Sequence, residues 1–104
     1  MPDLPALYAR IYTELPEVVT VYDAFGSAIY GVGTLDDKTR QLTKLALAVG
    51  KRLESATHPH TRRALGMGIP ANEIKQVVLL TTTTLGFPTT VSTYTWVTDE
   101  LDKL

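Results

Sequence analysis

A chain of 104 residues has room for one hydrophobic core, so a single domain spanning 1–104 is expected. Ten basic against eleven acidic residues leave a formal charge of -1, which supplies no positive field for a phosphate backbone or an anionic lipid surface and argues against nucleic-acid and membrane partners. The 44% hydrophobic and 20% charged content is that of a globular protein, and the lack of cysteine removes disulfides, thiolate metal ligands and thiol nucleophiles together.

The first segment, Leu4 to Leu15, places Leu4, Leu7, Tyr8, Ile11 and Leu15 at helical spacing, with Pro2 and Pro5 tolerable near a first turn. With no basic cluster ahead of an apolar run, it does not read as a signal peptide, and a cytoplasmic location is expected. A second helix begins near Pro16, runs through Val18, Val19, Tyr22, Phe25, Ala28 and Ile29, and ends at Gly31 and Gly33. The aromatics Tyr8, Tyr12, Tyr22, Phe25 and Tyr30 recur through these two helices, as core or as a subunit contact.

A third helix starts near Thr34 and Asp37, which resemble a weak capping box, with Asp36 and Asp37 beside the positive end of the helix dipole. Leu42, Leu45, Ala46, Val49 and Leu53 form its apolar stripe. Glu54 to Pro59 interrupts the pattern, because Pro59 lacks an amide hydrogen and disfavours helical angles at His58. The expectation there is a joint, followed by a short helix from His60 to Met67 that ends at Gly68. Pro70 and Glu73 open a longer helix with Ile74, Val77, Val78, Thr81 and Leu85 on one face, closed by Gly86. Pro88 restarts the chain, and Val91, Tyr94, Val97 and Leu101 form a last stripe beside Asp99, Glu100 and Asp102. From Val77 to Thr98 the branched valines and threonines favour a hairpin by propensity. A period near 3.6 and the place of Pro88 favour helices, and helices are the expectation.

His58-Pro59-His60 holds both histidines, whose side chain titrates near neutrality and suits a general acid or base. Two residues apart on a helix they point away from each other and are poorly placed to share a metal ion, so no metal is expected. The plainer reading makes His58 a solvated cap residue and His60 a partly buried packing residue with a hydrogen-bond partner. Glu54 and Gln41 lie near enough to join the set, and Arg62 and Arg63 offer either an anion site or a solvated face. Gly66-Met67-Gly68 follows a helix instead of a strand and reads as a helix end, so no nucleotide cofactor is expected. Threonines Thr81 to Thr84 either line a polar pocket or bond back to their own helix carbonyls, the second being commoner.

From Leu35 onward the order of features resembles the carboxymuconolactone decarboxylase family, which includes the alkylhydroperoxidase D-like proteins. The resemblance rests on Leu35-Asp36-Asp37-Lys38-Thr39-Arg40-Gln41-Leu42 as a helix opening and on His60-Thr61-Arg62-Arg63-Ala64-Leu65 as the histidine helix. Gly68-Ile69-Pro70-Ala71-Asn72-Glu73-Ile74 matches the following turn, and Gly86-Phe87-Pro88 the break before the last helix. It implies an all-α, compact bundle of about five to six helices that oligomerises through its helices into homo-oligomers: dimers, trimers or hexamers. In the redox branch the pattern is Glu, Cys-x-x-Cys, His; in register those places hold Gln41, Leu53, Ala56 and His60. Without sulfur, peroxide reduction by a thiolate relay is chemically excluded for this chain.

The decarboxylase branch does not require the cysteines, and the resemblance implies that His60 handles a proton there. One expectation is therefore a cofactor-free decarboxylase or lactone enzyme acting on a small carboxylic acid. In it His60 is catalytic and Arg62, Arg63, Gln41, Glu54 and His58 contribute to substrate binding. The other is a non-catalytic oligomeric binding or scaffold protein on the same fold.

Overall fold

The computed structural model describes residues 6–103. The expected helix start at Leu4 and the side chain of Tyr8 lie outside the described residues. The chain divides after Asp36 into two units.

The first unit holds α1 (Ala6–Glu14) and α2 (Pro16–Tyr30). Only Leu15 separates them; its φ of -131° and ψ of 59° leave the helical region, yet its N–H still reaches the Ile11 carbonyl at 2.9 Å. Pro16 sits in the first turn of α2, where its missing N–H costs nothing. At the other end the Gly31 N–H is shared between the Ser27 and Ala28 carbonyls at 3.2 Å each. Of α2, only Val19 is buried, while Val18, Val21, Tyr22, Phe25 and Ile29 are exposed.

The second unit contains α3 (Asp37–Gly50), α4 (Glu54–Gly66), α5 (Ala71–Leu79), the single turn α6 (Thr81–Thr84) and α7 (Phe87–Leu101). Six helices of nine residues or more and one turn thus account for the described chain, with no strand among the described residues. Leu45, Val49, Ala64, Ile69, Ile74, Val78 and Val97 form its core, edged by Leu42, Leu65, Val77, Tyr94 and Leu101. The helical period outweighs branched-residue propensity from Val77 to Thr98, because a face of α5 and a face of α7 both enter this core.

Three local expectations need correction. Leu53 does not extend the stripe of α3: that helix ends at Gly50, Arg52 turns through a left-handed φ of 57°, and Leu53 becomes the extended cap of α4, 46% exposed. There is no joint between Glu54 and Pro59, since α4 runs unbroken through Pro59. A proline forfeits only the bond to its own i-4 carbonyl, here that of Ser55. Thr57 N–H still bonds the Leu53 carbonyl at 2.9 Å, and the proline itself is buried. The helix opened by Pro70 is not continuous to Leu85, because it breaks at Leu80. There the Thr81 hydroxyl takes the Val78 carbonyl at 2.6 Å and meets Thr90 Oγ at 2.7 Å, a side-chain competition that bends the helix. Gly86, at φ 105° and ψ 154°, then turns the chain into α7, with Pro88 in the first turn.

Candidate functional site

Helix α4 holds both histidines, and its neighbours on two sides divide the expected residues. Gln41 lies on the buried face of α3 with Leu45, Ala48 and Val49, and so faces α4. Its Nε2 donates to the backbone carbonyl of His60 at 2.9 Å and lies 3.4 Å from His60 Nδ1. A carbonyl oxygen accepts only a donor, so the amide turns its NH2 toward α4. The second amide hydrogen is turned toward Nδ1, a long contact that suits the tautomer with the ring proton on Nε2.

Burial, and after it the positive charges of Arg63 and Lys44, together lower the His60 pKa from 6.5 to about 4. At neutral pH the ring is therefore uncharged, partly buried and set in a cationic field. Arg63 and Lys44 are exposed, and the Arg63 guanidinium makes no hydrogen bond or ion pair within the described residues. An anion placed beside His60 meets two positive side chains.

The other flank of α4 holds a separate ionic cluster around Glu100 of α7. His58 Nδ1 lies 2.6 Å from Glu100 Oε2, Arg62 Nη1 is 3.0 Å from Oε1, and Lys103 Nζ is 3.0 Å from Oε2. His58 Nε2 faces Glu54 Oε2 at 3.1 Å, one turn back on α4. The Glu100 side chain is 1% exposed. Burial alone raises its pKa, but the hydrogen bonds from Arg62, Lys103 and His58 outweigh that and hold the carboxyl below its usual range. His58 is thus a bridging residue at 22% side-chain exposure, and not the solvated cap residue of the plainer reading.

The expected set therefore falls into two groups. Gln41, His60 and the charge of Arg63 belong to one; Glu54, His58 and Arg62 belong to the other. Glu100, Lys103 and Lys44 were not in the expected set. Glu100 has a legible signal, for it continues the buried α7 stripe Thr93, Val97, Glu100 at steps of four and three. Lys44 and Lys103 have none, since a lysine on a helix surface is ordinary. The two histidines point apart, as their spacing requires, and no group of three or more metal-ligating side chains exists among the described residues. The threonines divide between the two readings: Thr81 and Thr84 bond to carbonyls of their own helical stretch, Thr81 and Thr82 also meet Thr90 of α7, and Thr81 and Thr84 line a surface groove.

The sequence profile of the carboxymuconolactone decarboxylase family matches residues 16–99, which spans α2 to α7. The chain belongs to the carboxymuconolactone decarboxylase family. An uncharacterized protein of Haemophilus influenzae is 35% identical over 57 residues, covering 55% of this chain and 50% of that protein. The decarboxylase-family chain spans about half the length of that curated relative. No solved structure matches it significantly. In this cysteine-free member of the decarboxylase family, the Gln41–His60 pair holds together without any sulfur between the two helices.

Proposed function

We propose that this protein is a cofactor-free decarboxylase or related lactone enzyme acting on a small carboxylic acid, with His60 as the proton-handling group and no thiol peroxidase activity. One observation carries the reading: a neutral imidazole beside the Gln41 amide lies in the field of Lys44 and Arg63. A substrate carboxylate drawn to those cations offsets their charge, so the proton affinity of His60 rises when substrate binds. As the C–C bond to the carboxylate breaks, carbon dioxide leaves and the electron pair stays on the substrate. His60, which takes a proton from solvent once the substrate carboxylate is bound, then delivers that proton to the carbon and returns to neutral imidazole, and Lys44 and Arg63 stabilise the negative charge until it does. Arg62, engaged by Glu100, is a poorer anchor for the substrate than Arg63.

The test is release of carbon dioxide from carboxymuconolactone-type acids. His60→Gln is expected to lose at least 100-fold in turnover and Arg63→Ala to raise KM, magnitudes usual for one general acid and one exposed charge. Full turnover by His60→Gln overturns the assignment. A second reading, a non-catalytic binding or scaffold protein, is favoured by one fact. Two surface grooves, one on α2 and one among α3, α5 and α6, are lined by neither histidine. His60-dependent turnover rejects that reading.

A further inference from the structure

Glu100 reaches α4 at two places, and the two bracket His60. His58 Nδ1 lies 2.6 Å from its Oε2 and Arg62 Nη1 lies 3.0 Å from its Oε1, so one carboxylate holds two residues that are one turn apart on the same helix face. His60 is midway between them, and at about 100° per residue its side chain projects from the opposite side of that turn. On that side Gln41 Nε2 meets the His60 carbonyl at 2.9 Å and Nδ1 at 3.4 Å. The same turn contains Pro59, which has no N–H to give to the Ser55 carbonyl, so the backbone there carries one hydrogen bond fewer. Glu100 itself is firmly placed: its side chain is almost wholly buried, and it continues the stripe of Thr93 and Val97, of which Val97 belongs to the core. Its third donor, Lys103, comes from just beyond α7 and does not join Glu100 to α4.

We infer that Glu100 is a positioning residue for His60: by gripping His58 and Arg62 it holds the 58–62 turn of α4 where the His60 ring meets the Gln41 amide. A role in a reaction rests on the decarboxylase reading, whereas the placement of the ring does not. Burial is the first cause of the low proton affinity of His60, so a ring that leaves its place regains affinity. Removing the negative charge of Glu100 acts the opposite way, because a lost carboxylate disfavours an imidazolium. Displacement and charge therefore differ in sign, and a loss of global stability alone does not move the pKa of the folded state.

Proton NMR of the imidazole in the folded chain is the test. Glu100→Gln is expected to raise the His60 pKa by about one pH unit, from about 4 toward 6.5. His58→Phe leaves the Glu100 charge in place and removes one arm of the grip; it is expected to raise the pKa in the same direction, and it decides the matter if Glu100→Gln fails to fold. Lys103→Met, which leaves both arms intact, is expected to keep the pKa within about 0.2 of the wild type. An unmoved or lowered His60 pKa in either of the first two variants overturns the inference, as does an equal rise with Lys103→Met. For an acid that the wild type decarboxylates, Glu100→Gln is expected to lower kcat about 10-fold with KM within about twofold, since Lys44 and Arg63 still draw the carboxylate. An unchanged kcat beside a raised pKa overturns the positioning role. A wild type without turnover defeats the decarboxylase reading alone, and the imidazole measurement then still decides the placement.

Discussion

Glu100→Gln is the most informative single perturbation, because it keeps the shape of a buried side chain and removes its charge. Breaking a buried ion pair by neutralising one partner costs about 3–5 kcal/mol when the stranded charge cannot reach water. Here the three partners are 22%, 32% and 66% exposed at His58, Arg62 and Lys103, so they rehydrate in part. A loss of about 2 kcal/mol follows, which for a chain of this size lowers the melting temperature by about 10 °C. Urea unfolding at pH 7 and fixed protein concentration measures it. The folded-state pKa of Glu100 lies below the ordinary 4.5, so its stabilising contribution is complete above that value and disappears as pH falls through the folded pKa. The wild-type advantage is therefore expected to shrink only below about pH 4.5. A Glu100→Gln variant within 0.5 kcal/mol of wild type at pH 7 refutes the account of the cluster as a network that stabilises the fold.

Other outcomes follow from the same geometry. His60, whose folded-state pKa is depressed to about 4 from 6.5, binds its proton more readily in the unfolded chain, so stability falls as pH drops from 6.5 toward 4. The loss reaches at most about 3 kcal/mol; His60→Gln is expected to flatten that slope in urea titrations between these pH values. Arg63→Ala is expected to raise the His60 pKa, read by proton NMR of the imidazole, and an unmoved pKa contradicts the electrostatic account. Gly86→Ala forces a side chain into φ 105° and ψ 154°, and is expected to cost about 1–3 kcal/mol by thermal unfolding, although the nearest atom, Pro88 Cδ, leaves room at 3.8 Å.

Much of this architecture is legible in residue order. The apolar stripes of α3 and α7 are visible as three- and four-residue steps, and Gly31, Gly68 and Gly86 mark ends that the chain respects. The resemblance carried by the segments from Leu35 to Pro88 holds, since the family profile extends from residue 16 to residue 99. Proline misleads at position 59, because its local penalty is visible in sequence while its buried surroundings are not. The site is half legible. His60 with Gln41 follows from family register, but the separation of His58, Arg62 and Glu54 from them depends on which neighbour each flank of α4 meets. Glu100 is hidden by company, placed between Asp99 and exposed Asp102 in a run that looks like a hydrated tail.

The position of α4 between its two neighbours has a mechanical consequence. His58 and the His60 carbonyl are held from different sides, by Glu100 of α7 and by Gln41 of α3, so turning the helix about its own axis releases both grips at once. The rod is thus pinned against torsion by a peg on each side of Pro59. Removing a single residue at that point swings one part of the helix by about 100° against the other, so the two pegs can no longer sit in their sockets together.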